Sequence, residues 1–472
     1  MKQKTSQTPL ALAQLTAKKI VVLGAGLTGL SCVRFLKENG LTCSVNDSRD
    51  NAVSVEVFQQ EFPKVSLVLG GWDTALIASA DILLVSPGID TSIAIIADAV
   101  NENCIVAGDV ELYCQNSNTP ILAVTGSNGK STVVSLLAFI GKKLGKNVEL
   151  GGNIGVPVLE QIQKTIDCLV LELSSFQLET LHSMNAIGAT VLNISDDHLD
   201  RHKTLENYIT IKQSIYNQCQ TAVINRDDAN THVVDKNRNI VSFGKGTAAK
   251  GHFGLEVIEG KMQLMFGSTA LIAVDELPIA GLHNALNCLA VLALGYSANW
   301  PIKEILKHIV KFEGLAHRCQ LVSKYKNVQW INDSKATNVG ATLAAIEGLA
   351  AIMSPDNNLY VIAGGDGKGA DFIPLQSVIS KHISQVYTLG KDGDEIALLA
   401  NKAKTASRKV SSIEEAVNAL DDVVKAGDIV LLSPACASID MFKNFAERGN
   451  VFVNAVNDLS ANDEAQTLRE MS

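Results

Sequence analysis

The sequence predicts an α/β protein of three domains, and three observations carry that expectation: the length, an alternation of short aliphatic runs with longer helical patterns, and the low charge. At roughly 150 residues per domain, 472 residues make about three domains. An apolar share of 47%, only 19% charged residues and 35 glycines suit parallel strands covered on both faces, which read as unbroken aliphatic runs. Such runs stand at 20–23, 82–85, 121–124, 169–173, 190–194, 222–224, 359–362 and 429–432. The helical patterns between them predict stacked βαβ units. Disorder is excluded for most of the chain.

The polar stretch 114–120 (CQNSNTP) and the segment 314–318 (GLAHR) each precede a fresh strand, at 121–124 and 328–331. Domain boundaries are therefore expected near 108 and 314, giving domains 1–108, 109–313 and 314–472. Residues 242–280, with many Gly and strand formers, are expected to be β-structure inserted late in the middle domain. The tail from Ser460 is polar and expected to fray.

Forty-nine acidic against 40 basic residues, a net charge of −9 and the lack of Lys/Arg blocks disfavour a protein that lives on a nucleic-acid backbone. Phosphate binding must come from local loops. The nine cysteines, at 32, 43, 104, 114, 168, 219, 288, 319 and 436, form no C-x-x-C pair, so reduced core thiols in a cytosolic compartment are expected. The apolar patch 10–15 is thin for a signal peptide, and longer apolar runs break before the roughly 20 residues that span a bilayer. A soluble chain without membrane insertion is expected.

Three strand-end loops carry the chemistry. The first, Gly24-Ala25-Gly26-Leu27-Thr28-Gly29, follows the strand at 20–23 and opens a helix through Phe35. Its glycines let a pyrophosphate approach backbone N–H groups at a helix N-terminus. A second strand, 42–46, then delivers Asp47 close to the spacing of a ribose-binding carboxylate. The pattern does not distinguish NAD from another pyrophosphate-bearing nucleotide, or from a ligand-free turn.

The second loop is more specific: Gly126-Ser127-Asn128-Gly129-Lys130-Ser131-Thr132 lies between the strand 121–124 and an apolar helix over 133–140. Successive backbone donors cradle phosphates there, Lys130 reaches the outer ones, and Ser131 or Thr132 offers a hydroxyl to Mg²⁺. Val124 stands where the common pattern wants its first Gly, so the loop is a shortened variant. No Asn-Lys-x-Asp guanine reader follows, which favours ATP.

Glu172 and His198 each emerge from a buried-strand pattern, in Glu172-Leu173-Ser174-Ser175-Phe176-Gln177 and in Asn193-Ile194-Ser195-Asp196-Asp197-His198. A carboxylate there suits Mg²⁺, which prefers hard oxygen ligands. Either residue is also open to a plain reading as a cap or ion-pair partner. In the last third, 330–338 (WINDSKATN), 364–369 (GGDGKG) and 433–438 (SPACAS) set polar loops at strand ends, a binding face or ordinary turns.

Together these residues resemble the Mur ligase family, from about residue 18 to 455. The loop TGSNGKST is shared with the wider superfamily, including folylpolyglutamate synthetases; GAGLTGLS, ELSSFQLE, INDSKATN and SPACASIDMFKNFAERG discriminate further, and no DNPR-type motif of the diamino-acid enzymes is found. The resemblance implies a Rossmann-like N-terminal domain that binds UDP, a central P-loop ATPase-like domain with a small β insertion, and a Rossmann-like C-terminal domain. It implies a cytoplasmic, monomeric, ATP- and Mg²⁺-dependent ligase of peptidoglycan synthesis that adds D-glutamate to UDP-N-acetylmuramoyl-L-alanine through an acyl phosphate.

By the same resemblance, Leu27, Thr28, Asp47, Ser48, Arg49 and Gly88 surround the uridine diphosphate, and Asn153 lies in the substrate cleft. Lys130 and Ser131 take the ATP phosphates and Mg²⁺, Glu172 and His198 bind metal, and Asn287 contacts adenine. Lys212 matches a lysine carbamylated by CO₂ as a metal-site ligand; on the residues alone it reads as a solvated helix charge. Arg318 and Asp333 match nucleotide contacts, Lys335 a phosphate and acyl contact, and Thr337, Lys368, Ser438 and Phe445 the D-glutamate pocket. The segment before Lys18 and Ser195 depart from the family pattern. Three rivals stay open: an NAD-dependent oxidoreductase, a nucleotide-gated module without chemistry, and another amide ligase of the superfamily.

Overall fold

A computed structural model describes residues 10–101, 104–233, 238–277, 279 and 281–470. The first sheet contains β1 (Ile20–Leu23), β2 (Cys43–Asp47), β3 (Ser66–Leu69), β4 (Ile82–Val85) and β5 (Ile105–Ala107), in the order β3-β2-β1-β4-β5 and wholly parallel. The chain builds outward from β1 on one side and then crosses to β4 on the other. That reversal opens a crevice at the carboxyl ends of β1 and β4, where doubly wound sheets take ligands. The segment before Lys18, left without a role by the family pattern, docks where it is described: Leu10 is fully buried and its N–H donates to Gln115 Oε1 at 2.7 Å.

The second sheet contains β6 (Ile121–Thr125), β7 (Val148–Gly152), β8 (Cys168–Glu172), β9 (Ala186–Val191), β10 (Cys219–Asn225) and β11 (Asn239–Phe243). Its order, β11-β10-β9-β6-β8-β7, is also parallel throughout and puts β6 between β8 and β9. The loops leaving those three strands are neighbours for that reason. The strand expected at 190–194 instead spans Ala186–Val191. Beyond Val191 the backbone is claimed by side chains and by the loop after β6: Ser127 N donates to Asn193 O, and Ile194 N to Asp228 Oδ2 at 2.7 Å.

Within the stretch expected as inserted β-structure lie β12 (Phe253–Ile258), β13 (Lys261–Phe266) and β14 (Thr269–Ala273), a three-stranded sheet whose last pair is antiparallel. The last sheet contains β15 (Gln320–Ser323), β16 (Gln329–Asn332), β17 (Leu359–Gly364), β18 (Gln385–Leu389), β19 (Ala406–Lys409) and β20 (Ile429–Leu432). Its order is β15-β16-β20-β17-β18-β19, antiparallel only at β15. The polar tail expected to fray continues the helix Phe445–Glu470, whose last turns are rich in Ala, Glu, Gln and Leu, good helix formers without a Pro or Gly to stop them.

The chain divides into two compact units. One runs to Gly244 and adds 251–253 and 290–305; the other holds 245–250, 254–289 and the chain from 306. All nine cysteines are free thiols, and eight are buried. Among the described residues, no helix is long and apolar enough to cross a membrane.

Candidate active site

The loop after β6 is built as an anion cradle. Gly129 takes a left-handed conformation (φ 83°) and caps the helix Lys130–Lys143, which sets the N-terminus of that helix beside the loop. Lys130 Nζ folds over the loop, donating to Gly126 O at 2.7 Å and Ser127 O at 2.9 Å. The cradle has its own scaffold. Asn128 N donates to Asn193 Oδ1 at 2.8 Å, and Asn193 Nδ2 returns a bond to Asn128 O at 3.1 Å. Ser127 Oγ accepts from Ser195 N at 3.0 Å and lies 3.2 Å from Tyr208 Oη. Sequence reasoning assigned no role to Asn193 or Tyr208; the available signal was an Asn just past the end of a buried strand. Ser131 and Thr132 are buried at the start of the helix.

Glu172 ends β8, beside β6, and is 2% exposed. Asn153 Nδ2 donates to its Oε1 at 2.9 Å, while its Oε2 is buried with no hydrogen-bond partner among the described residues. A buried, unpartnered carboxylate oxygen is costly unless something binds it, and a hard divalent cation fits that need. Among the described residues, no group of three or more His, Cys, Asp or Glu assembles. His198 has an exposed side chain in a left-handed residue (φ 53°), its ring 4.9 Å from that of Phe176.

Lys212 is not the solvated helix charge that its residue type alone suggested. It is 1% exposed, its ammonium 4.7 Å from the centroid of the Tyr208 ring. Lys212 Nζ donates to Thr125 Oγ1 at 3.2 Å and to Gly126 O at 3.1 Å, so Lys130 and Lys212 share one carbonyl. Burial, then the like charge of Lys130, holds Lys212 well below the ordinary lysine range, against the pull of Asp197 and Glu172.

At the first sheet, Leu27 is 78% exposed at the start of the helix Leu27–Glu38, with Thr28 half-buried next to it and Ser48 and Gly88 exposed on neighbouring loops. Asp47 is buried, and both its oxygens are engaged. Oδ1 accepts from Arg49 N at 3.0 Å and Nε at 2.9 Å, and Oδ2 from Ala25 N at 2.8 Å and Arg49 Nη2 at 2.7 Å. The Arg49 guanidinium holds its carboxyl down at about 2. Asp47 thus shapes the glycine loop and aims an exposed Arg49, which disfavours the ribose-clamping carboxylate of an NAD enzyme. Ser86 Oγ, on the loop after β4, is buried without a hydrogen-bond partner among the described residues.

A methyl group on Gly29 would sit inside the carbonyl oxygen of Gly24. Gly29→Ala is expected to lower the thermal midpoint, at an overpacking cost of about 1–3 kcal/mol, and to weaken UDP binding measured by titration calorimetry at least about tenfold. Unchanged UDP affinity would remove this loop from the nucleotide site.

In the other unit, three loops converge at the carboxyl ends of β16, β17 and β20. Asp333 is buried, accepting from Cys319 N at 3.2 Å and from Ser433 Oγ at 2.9 Å. Asp366 and Ala437 exchange backbone bonds, which ties GGDGKG to SPACAS. Lys335 Nζ stands 3.8 Å from the centroid of the Phe445 ring. Ser438 is buried, and Thr337 and Lys368 are exposed. Arg448, to which sequence reasoning gave no role, is 2% exposed: Nε donates to Ser334 Oγ at 2.9 Å, Nη2 to Ser334 O at 2.8 Å and Nη1 to Cys436 O at 3.1 Å. One guanidinium thereby fastens INDSK to SPACAS. Asn287 is buried in the helix Leu282–Ser297, Nδ2 donating to Asn284 Oδ1 at 3.1 Å. Arg318 is half-buried and lowers the pKa of Asp333 electrostatically.

Burial pushes Asp333 up to about 7, opposed by the Ser433 hydroxyl and the Cys319 N–H. A carboxyl raised in the fold binds more protons than in the unfolded chain, so its stability contribution falls as pH rises from the ordinary Asp value of about 4 toward the folded one. Asp333→Asn is expected to flatten the dependence of thermal midpoint on pH between about pH 4 and 7. An equally steep dependence in the variant would contradict the assignment.

A phosphate loop at the centre of one parallel sheet, a glycine loop at the reversal point of another and a third loop cluster define a multidomain nucleotide-binding α/β enzyme. Three family models cover most of the chain: a Mur ligase MurD-like N-terminal domain over residues 18–108, a Mur ligase middle domain over 124–295 and a Mur ligase glutamate ligase domain over 317–436. The chain belongs to the Mur ligase family.

A UDP-N-acetylmuramoylalanine--D-glutamate ligase of Colwellia psychrerythraea is 53% identical over 93% of this chain and 96% of its own length. One of Pasteurella multocida is 43% identical over 92% and 97%. Among solved structures, a MurF ligase from Thermotoga maritima in complex with ADP matches at a TM-score of 0.59 and 17% identity, over 95% of this chain and 97% of that one. A pseudomurein peptide ligase type C from Methanothermus fervidus matches at 0.56 and 20%, over 93% and 100%. These two likenesses concern the fold.

Proposed function

We propose that this chain is an ATP-dependent ligase of peptidoglycan synthesis, joining the alanyl carboxylate of UDP-N-acetylmuramoyl-L-alanine to the amine of D-glutamate. The observation that carries the reading is the pairing of a phosphate cradle under Lys130 with the buried, unpartnered Glu172 oxygen one strand away. A free carboxylate has no usable leaving group, so ATP must activate it. The carboxylate attacks the γ-phosphorus, giving an acyl phosphate and ADP; the amine of D-glutamate then attacks the acyl carbon and phosphate departs. Lys130 and the N–H groups of the helix start hold the transferring phosphoryl group, whose charge they offset.

Glu172, Ser131 and His198 would hold Mg²⁺, which supplies charge neutralisation on the phosphates. Only a neutral amine reacts with CO₂, and Lys212 is held toward that form, which supports its reading as a carbamate. Leu27, Thr28, Ser48, Arg49 and Gly88 would bind the uridine diphosphate, Asp47 orienting Arg49, with Asn153 toward the sugar. Asn287, Arg318 and Asp333 would contact ATP. Lys335 would contact the acyl phosphate, and Thr337, Lys368, Ser438 and Phe445 would bind D-glutamate. The reading places the reaction in the cytoplasm.

The test is phosphate release from ATP with UDP-N-acetylmuramoyl-L-alanine, adding D-glutamate, L-glutamate or nothing. Sustained release with D-glutamate alone is expected, with one ¹⁸O passing from the labelled carboxylate into phosphate. Release with another amino acid in its place would reassign the chain within the family.

A further inference from the structure

A continuous run of contacts joins the glycine loop of the first sheet to the segment that carries His198. Ser86 Oγ and Ile89 Cδ1, after β4, lie 2.6 and 3.2 Å from where a Cβ on Gly24 would stand. Asp90, next in the chain, shapes its loop by accepting from Ser92 N at 2.8 Å and Ser92 Oγ at 2.6 Å. The same Asp90 oxygen meets Arg201 Nε at 3.4 Å. Arg201 Nη2 donates to Glu179 Oε2 at 2.6 Å, and Thr91 Oγ1 reaches that oxygen at 3.4 Å. The guanidinium lies 5.0 Å from the centroid of the Phe176 ring, which is in turn 4.9 Å from the ring of His198. Arg201 and Glu179 side chains are 11% and 14% exposed, so this pair is largely withdrawn from water.

We propose that Arg201 is a positioning residue: it sets the separation between the loop that holds the diphosphate end of the sugar nucleotide and the His198 segment where the other end reacts. The inference rests on the substrate reading above. A substrate that spans two sheets is bound at one end by the loops after β1 and β4 and reacts at the other beside Glu172. An error of ~1 Å in that span costs on the order of 10²-fold in rate. The planar fork of Arg meets Asp90 and Glu179 at once while lying on Phe176; the point charge of Lys cannot.

The test uses Arg201→Lys and Asp90→Asn in the full chain. Arg201→Lys is expected to lower kcat about 10- to 100-fold, with Kd for UDP alone and for ATP alone within about twofold of the unaltered protein. The double variant should be no slower than Arg201→Lys by itself. A kcat within about twofold of the unaltered enzyme, additive effects, or joint loss of UDP and ATP binding would overturn the proposal. A readout without turnover separates this from failure of the substrate reading. UDP should slow amide exchange over 195–202 in the unaltered chain but not in Arg201→Lys, and equal slowing in both would also overturn it. No phosphate release by the unaltered chain with its full substrate set would sink the substrate reading alone, and absence of UDP binding would sink both.

Discussion

Replacing Lys130 with Ala is expected to lower the kcat of ATP-dependent phosphate release at least about 10²- to 10³-fold, while the chain stays folded. The loop that Lys130 covers is also held by Asn193 and by Ser127, so its cradle shape survives the truncation. What disappears is the ammonium that folds over Gly126 O and Ser127 O at the start of the helix. Single-turnover ADP formation, with a thermal melt as control, separates lost phosphoryl transfer from lost folding. An unchanged kcat would remove Lys130 from the mechanism. The variant has a second consequence. Lys130 contributes to the depressed pKa of Lys212, so its loss leaves Lys212 more fully protonated and less able to react with CO₂. Effects at the two positions should therefore fall short of additive.

Lys212→Ala is expected to abolish turnover as well, at least about 10²-fold, with short carboxylates such as formate or acetate restoring part of it by standing in for the carbamate oxygens. If the unaltered enzyme keeps full activity in CO₂-depleted buffer, the carbamate assignment falls. The stability effect runs the other way. A lysine lowered in the fold binds fewer protons than in the unfolded chain, so stability rises with pH from the lowered value to the ordinary one near 10.5. Below that window the buried ammonium is a cost. Lys212→Met, of similar shape without the charge, is expected to melt at or above the temperature of the unaltered protein at pH 7 while remaining inactive. A clear drop in its midpoint would mean that the bonds to Thr125 and Gly126 outweigh the desolvation.

The strands that flank the three chemistry-bearing loops were legible because burial on both faces writes itself into a strand as an aliphatic run. The runs at 20–23, 82–85 and 429–432 match β1, β4 and β20 residue for residue. Edge strands were not legible. β3 (SLVL) and β19 (ASRK) are partly exposed, so their composition carries little pattern. The end of β9 was misplaced because the residues after Val191 are as aliphatic as the strand itself, and only their hydrogen-bond partners show that they have left it. Lys130 was readable from loop spacing. Arg201 was not, since its partners lie at positions 90 and 179.

By itself, the sequence determined the βαβ alternation, the three strand-end loops and the lysine that reaches over the second of them. Each depends on neighbours a few residues away: strand hydrophobicity, the conformational freedom of glycine, the unpaired N–H groups of a helix start. Tertiary structure alone decided which charges are withdrawn from water and what they face. It turned Lys212 from a surface charge into a buried amine, left one oxygen of Glu172 without a partner and enclosed Arg448. The reason is physical. The free energy of a charge is set by the dielectric and the groups around it in space, and those groups are supplied by segments tens to hundreds of residues distant in the chain.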